Sequence, residues 1–73
     1  MEPTKIDATG LRCPQPVLKL AMALVDIPAG ALVEITGDCP TFEKDIRTWC
    51  EKRGKTVLAV RPEGEAFCIQ IQV

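Results

Sequence analysis

The chain has 73 residues and a formal net charge of −1, with 9 Lys and Arg against 10 Asp and Glu. A chain of this length forms one small domain with a thin core, so we predict a single domain over residues 1–73. The near-neutral charge and an aromatic content of 4% argue against direct nucleic-acid binding. The polar first residues and the short apolar runs predict neither a secretory signal nor a membrane span, so we expect a cytoplasmic protein.

Alternation of apolar and polar residues predicts four strands, and apolar residues at helical spacing predict two helices between them. The strands are predicted over residues 4–8, 31–36, 56–61 and 66–73, and residues 62–65 are predicted to join the last two as a hairpin. The order is therefore β-α-β-α-β-β. The simplest arrangement is an α/β (α+β) two-layer sandwich, with a four-stranded mixed sheet and both helices on one face.

The two predicted helices each carry one apolar stripe. The first runs over about 14–25, and its predicted stripe consists of Val17, Leu18, Ala21, Leu24 and Val25, with Leu20 and Met22 off its centre. The second is predicted to begin at Pro40, with Asp38 or Cys39 as its N-cap, and to end near Arg53 before Gly54. Both stripes are predicted to face the sheet.

Cys13 stands directly before Pro14-Gln15-Pro16, where the first helix is predicted to begin. Proline fits the first helical turn because it lacks a backbone N–H, so Cys13 is predicted at or near the N-cap. A thiolate there would lie at the positive end of the helix dipole and could accept the N–H groups of Gln15 and Val17. This setting favours a reactive thiol over a cysteine that only packs at the turn.

Cys39 has the same context, because it follows a predicted strand and precedes Pro40. If the first two strands are adjacent and parallel, both turns lie at one edge of the sheet and the two sulfurs lie near one another. Cys39 is then either a resolving thiol or second sulfur site, or a cysteine that caps or packs at the turn. Cys50 falls on the apolar stripe of the second helix and is predicted to be inert core. Cys68 is predicted to lie on the sheet face opposite the helices, exposed and without a catalytic role.

Two other uses of the four cysteines are disfavoured. The expected absence of a secretory signal argues against a framework of structural disulfides. Positions 13, 39, 50 and 68 contain no close Cys-x-x-Cys pair and the chain has no histidine, which argues against a zinc site. We therefore predict no metal and no cofactor.

The segment Asp7-Ala8-Thr9-Gly10-Leu11-Arg12-Cys13-Pro14-Gln15-Pro16-Val17-Leu18 resembles the N-terminal signature of the TusA/SirA family, whose hallmark is Cys-Pro-x-Pro. Asp38-Cys39-Pro40, Asp45-Ile46 and Gly54 follow at the spacing of that family, so the resemblance covers nearly the whole chain. Asp38-Cys39-Pro40 is more similar to the YedF-type branch than to the tRNA-thiolation members, many of which have an acidic residue at the position of Cys39. The resemblance implies a two-layer α/β sandwich and one TusA-like domain.

Members of this family are small sulfur carriers, so the resemblance implies that Cys13 accepts sulfane sulfur as a persulfide and relays it, as a sulfurtransferase. It implies a sulfur donor such as a cysteine desulfurase or rhodanese, and an acceptor such as a DsrE-type protein. The residues expected to support Cys13 are Arg12, Pro14, Gln15, Pro16, Asp38 and Cys39. Two alternatives stay open. One is a thiol redox-sensing interaction module that uses a reversible Cys13–Cys39 disulfide, including a role in selenium metabolism, and the other is a structural domain with inert cysteines.

Overall fold

The computed structural model describes residues 3–73, which form one mixed sheet and two helices. The elements are β1 (Thr4–Asp7), α1 (Gln15–Ala23), a 3₁₀ turn (Leu24–Asp26), β2 (Leu32–Gly37), α2 (Phe42–Arg53), β3 (Thr56–Glu63) and β4 (Ala66–Gln72). The sheet has the order β1-β2-β4-β3, in which β1 and β2 are parallel and the other neighbours are antiparallel. The predicted four-stranded mixed sheet with two helices is confirmed.

A single core lies between one face of the sheet and the two helices. It consists of Ile6, Ala8, Leu20, Val33, Ile35, Phe42, Ile46, Cys50, Ile69 and Ile71. Strand alternation explains the sheet's share of this core, because successive side chains of a strand point to opposite faces. Val33 and Ile35 are completely buried, whereas Glu34 between them lies on the other face, where it pairs with Arg61 and accepts a hydrogen bond from Gln70.

The buried stripe of α1 differs from the predicted one. Pro16 and Leu20 are the fully buried residues of α1, whereas Leu18 and Val25 are 57% and 82% exposed. The prediction of an off-centre Leu20 was wrong, and that of an off-centre Met22, which is 74% exposed, is confirmed. Nearly every residue from 17 to 25 is apolar, so more than one stripe fits the helical period, and docking on the sheet selects one of them. The helix also ends at Ala23. The 3₁₀ turn that follows has fewer residues per turn, so residues 24–26 do not continue the direction of the α-helical stripe.

The second helix begins two residues later than predicted and ends where predicted. Its N-cap is Thr41, not Asp38 or Cys39, and Pro40 lies in the preceding turn, where the Phe42 N–H donates to the Cys39 carbonyl at 3.0 Å. Gly54 closes the helix in the left-handed conformation with φ 69°, which glycine adopts without a steric penalty.

The β3–β4 hairpin is tighter than predicted. Pro62 pairs with Phe67 and Glu63 with Ala66, so the loop consists of Gly64 and Glu65 alone rather than residues 62–65. Pro62 is tolerated because β3 is an edge strand, where a missing N–H need not break the ladder. Within residues 3–73, no helix has the length and apolar character needed to cross a membrane.

Candidate functional site

The site lies where the loops that follow β1 and β2 meet. Cys13 is in the loop between β1 and α1, and Cys39 is in the loop between β2 and α2. Because β1 and β2 are adjacent and parallel, both loops leave the sheet at the carboxyl ends of these strands. The two sulfurs form a disulfide that joins Cα atoms 6.2 Å apart across a sequence separation of 26. The prediction that the two sulfurs lie near one another is confirmed.

Cys13 lies near the N-cap of α1, as predicted, but is not the N-cap itself. The helix begins at Gln15 and its N-cap is Pro14, without a side-chain cap. The N–H groups that the Cys13 sulfur was predicted to bind have backbone partners instead. The Gln15 N–H donates to the Arg12 carbonyl at 2.8 Å, and the Val17 N–H donates to the Pro14 carbonyl at 3.1 Å. Cys13 therefore lies one residue before the cap, and its sulfur is directed to Cys39.

Asp38 connects the two loops. Its Oδ1 atom accepts a hydrogen bond from the Gly10 N–H at 3.0 Å, a contact that joins residues 28 positions apart. Gly10 adopts the left-handed conformation with φ 81°, which suits glycine and allows this N–H to point at the carboxylate. The Ala8 N–H donates to the Thr36 carbonyl at 2.7 Å and continues the β1–β2 pairing up to the site. The role of Asp38 is thus to bridge the loops, not to cap α2.

Both loops line a cavity of about 540 Å³. Its walls are Gly10, Leu11, Arg12, Cys13, Asp38, Cys39, Pro40 and Thr41. Four of the predicted site residues therefore come together here: Arg12, Cys13, Asp38 and Cys39. The others do not line the cavity, since Pro14 and Gln15 are exposed beside it and Pro16 is buried and anchors the start of α1.

Thr41 is a site residue that the sequence reasoning missed. Its hydroxyl oxygen lies 3.8 Å from the Cys39 sulfur, and the hydroxyl donates to Asp45 Oδ2 at 3.0 Å. The available signal was its position, because a threonine directly before an apolar helical run is a common N-cap residue. Thr41 therefore connects the Cys39 loop to the first turn of α2.

The end of β1 is held by polar contacts beside the site. The Asp7 carboxylate accepts hydrogen bonds from the hydroxyl and the N–H of Thr9, and these bonds lower the pKa of Asp7, with Lys19 adding a smaller effect in the same direction. Lys19 Nζ donates to the Asp7 carbonyl. The first helix is thereby attached to the strand that precedes it, which orients the loop that carries Cys13.

Replacing Thr9 with valine is expected to raise the pKa of Asp7 toward its ordinary value of 3.8, because the variant lacks the hydroxyl donor. A carboxylate whose folded-state pKa lies below its unfolded value stabilises the fold above the unfolded pKa. That contribution is lost as the pH falls through the folded-state pKa. The variant should therefore lose less stability on acidification than the wild type. NMR titration of the Asp7 carboxyl group measures the shift, with the exposed Thr48→Val as control, and an unchanged pKa in Thr9→Val would contradict the assignment.

The other two cysteines lie away from this site. Cys50 is 1% exposed in the core, as predicted, and burial raises the pKa of its thiol. Cys68 lies on the sheet face opposite the helices, but the prediction that it is exposed was wrong, because it is 4% exposed. It pairs with Thr36 on β2 and Arg61 on β3, and Arg61 Nη2 lies 3.9 Å from its sulfur. Cys68 is a small side chain in a central strand, and the longer Arg61 side chain lies beside it on the same face.

We expect the reduced, folded chain to react with a thiol reagent at Cys13 and Cys39 much faster than at Cys50 and Cys68. Reaction requires an accessible thiolate, and the last two thiols are buried. Brief alkylation followed by peptide mass spectrometry measures the labelling of each residue, and the denatured chain, in which all four should react, is the control. Equal labelling of Cys68 and Cys13 in the folded chain would contradict this expectation.

The fold and the site together define a small α+β protein with a thiol pair at the carboxyl ends of two parallel strands. The sequence model of the family described as "Sulfurtransferase TusA" matches residues 4–73. The chain belongs to the TusA family.

Curated relatives and a solved structure agree with this assignment. The sulfur carrier protein TusA of Pseudomonas syringae pv. syringae (strain B728a) is 34% identical over 68 residues, which cover 93% of this chain and 81% of that protein. The sulfur carrier protein TusA of Pseudomonas putida (strain GB-1) is 31% identical over 67 residues, covering 92% and 84%. The crystal structure of a SirA-like protein from Desulfitobacterium hafniense superposes with a TM-score of 0.80 at 25% identity and covers 93% of each chain.

Proposed function

We propose that this chain accepts sulfane sulfur as a persulfide on Cys13 and relays it to an acceptor protein. The observation that carries the proposal is the position of Cys13. It lies in the Cys-Pro-x-Pro loop, on the wall of the 540 Å³ cavity, and its sulfur is bonded to that of Cys39. Cys50 and Cys68 are buried and offer no comparable thiol. Relatives that are named sulfur carriers support the same reading.

The reaction needs the reduced form of the Cys13–Cys39 pair. The Cys13 thiolate attacks the outer sulfur of a donor persulfide, R–S–SH. The donor's sulfur–sulfur bond breaks, a new bond forms to Cys13, and the products are Cys13–S–SH and R–S⁻. An acceptor thiolate then attacks the outer sulfur of Cys13–S–SH in the same way, and Cys13 leaves as a thiolate. The chain thereby acts as a sulfurtransferase without a cofactor.

The neighbours of Cys13 have distinct parts in this proposal. Arg12 adds positive charge at the cavity wall, which favours an anionic sulfur. Pro14 and Pro16 restrict the backbone on either side of Gln15, and Pro16 is anchored in the core. Asp38 bridges the two loops through the Gly10 N–H.

The proposal also names the protein partners and the cellular compartment. The donor is a protein that presents a persulfide, such as a cysteine desulfurase or rhodanese, and the acceptor presents a thiol, as a DsrE-type protein does. We place the exchange in the cytoplasm, where thiols are kept reduced. Residues 1–73 act as one TusA-like domain, with no direct contact to nucleic acid or membrane. The resemblance of Asp38-Cys39-Pro40 to the YedF-type branch supports a relation to that branch.

The test is intact mass of the reduced Cys39→Ser variant after incubation with a cysteine desulfurase and cysteine, because this variant keeps Cys13 and lacks the second thiol of the pair. We expect the mass to increase by one sulfur atom and to return to its original value when an acceptor thiol is added. A wild-type chain that loses two hydrogens, with no sulfur uptake in Cys39→Ser and no release of hydrosulfide, would instead support the redox-sensing module, in which Cys13 and Cys39 only form a disulfide. A chain whose mass does not change at all would contradict the carrier function.

A further inference from the structure

The bond between Cys13 and Cys39 identifies which sulfur atom Cys39 can attack. In the structure the Cys39 sulfur contacts Sγ of Cys13 itself, and the two Cα atoms, 6.2 Å apart, lie within the ordinary range for a disulfide. If a sulfane sulfur is attached to Cys13, Cys39 therefore faces the inner sulfur of the persulfide. An acceptor protein, by contrast, takes the outer sulfur.

Contacts other than the disulfide hold the two loops in place. Asp38 Oδ1 accepts the Gly10 N–H at 3.0 Å, and the Ala8 N–H donates to the Thr36 carbonyl at 2.7 Å. On the Cys39 side, the Thr41 hydroxyl oxygen lies 3.8 Å from the sulfur and is held by Asp45. These contacts do not require an oxidised pair. Cys39 therefore stays beside Cys13 in the reduced chain, at a high effective concentration for intramolecular attack.

We propose that Cys39 is a resolving thiol that releases the sulfur carried by Cys13 as hydrosulfide, an inference that rests on the persulfide proposed above. The Cys39 thiolate attacks Sγ of Cys13–S–SH, the bond from Sγ to the outer sulfur breaks, and the products are the Cys13–Cys39 disulfide and HS⁻. The sulfane sulfur is reduced to the sulfide level and the two cysteines are oxidised, so atoms and electrons balance without an external oxidant. A dithiol or thiol reductant then returns the pair to the form that accepts sulfur.

This step gives the carrier a second form in which it can release sulfur. Transfer to a protein thiol moves the outer sulfur as sulfane sulfur, whereas resolution by Cys39 delivers sulfide at the cavity formed by the two loops. The acceptor class for the second route is an electrophilic small molecule or an enzyme that consumes sulfide, and neither needs a cysteine of its own. The disulfide in the structure is the product state of that route.

The experiment loads the reduced wild type and the Cys39→Ser variant with glutathione persulfide, removes the reagent by desalting, and follows hydrosulfide by trapping with monobromobimane. In the wild type we expect about one HS⁻ per chain and a final mass two hydrogens below that of the reduced chain. Release in Cys39→Ser is expected to be at least about tenfold slower, because its persulfide has lost the intramolecular thiol. Cys68→Ser is the matched control and should behave as the wild type does.

Two further measurements make the result decisive. The wild-type rate should be independent of protein concentration, since an attack between two chains would speed up with concentration, and Cys39→Ala should reproduce Cys39→Ser. A wild-type chain that keeps its Cys13 persulfide as long as Cys39→Ser does would overturn the resolving role and leave the carrier function standing. A chain that takes up no sulfur on Cys13 would overturn both.

Discussion

Replacing Cys13 with serine is expected to abolish sulfur uptake from a cysteine desulfurase, down to the background of the mass measurement. Serine preserves the size and polarity of the side chain, but its hydroxyl group cannot attack a persulfide and hold the sulfur as a thiolate does. Cys50 and Cys68 cannot replace it, because they are 1% and 4% exposed and a donor protein cannot reach them. The loss therefore reports on the thiol of Cys13 alone.

Cys68→Ser is the matched control for this loss, because it removes a thiol that the proposal does not use. It is expected to take up one sulfur atom as the wild type does, counted as the Cys13 persulfide together with any hydrosulfide released from it. Uptake by Cys13→Ser at the wild-type level would place the carried sulfur on another cysteine. The double variant Cys13→Ser/Cys39→Ser would then show whether that cysteine is Cys39, the other thiol at the site.

Replacing Gly37 with alanine is expected to destabilise the fold by about 1–3 kcal/mol, the usual cost of forcing extra volume into a packed core. A Cβ atom at this position would lie 2.6 Å from both Cδ1 and Cε1 of the Phe42 ring. Phe42 is 1% exposed at the start of α2, so its ring cannot move away without displacing the core. Urea unfolding of the variant and the wild type measures the change in the free energy of unfolding.

A double-mutant cycle with Phe42→Leu separates this collision from other effects of the substitution. Leucine lacks the ring atoms that the new Cβ would meet, so Gly37→Ala should cost less in the Phe42→Leu background. Gly37 does not have a positive φ, so backbone strain is not the expected cause. Equal costs of Gly37→Ala in the two backgrounds would contradict the steric explanation.

The strands and the order of the elements were predictable because their signals are local. Val33 and Ile35 alternate with Glu34 and Thr36, and the structure buries the first two completely. Gly54 marked the end of α2 because a left-handed residue commonly terminates a helix. Such signals depend on backbone geometry over a few residues, and the residue types of the same few positions determine that geometry.

The helix starts and the buried stripe of α1 were not predictable in the same way. Cys13 was predicted at or near the first N-cap, and Asp38 or Cys39 as the second. The N-caps are Pro14 and Thr41. A proline is compatible with several positions around a helix start, so it does not select one. In α1 the continuous apolar run allowed more than one stripe, and only contact with the sheet decided that Leu20 is buried and Leu18 is exposed.

The sequence by itself determined the element order, the Cys-Pro-x-Pro loop and the membership in the TusA family, because these depend on residues that are neighbours along the chain. Only the tertiary structure decided that Cys13 bonds to Cys39, that Asp38 bridges to Gly10, and that Cys68 is covered. The physical reason is that these contacts join residues from different strands and loops. Their distances depend on which strands are adjacent and parallel, and no pattern within a single segment specifies that arrangement.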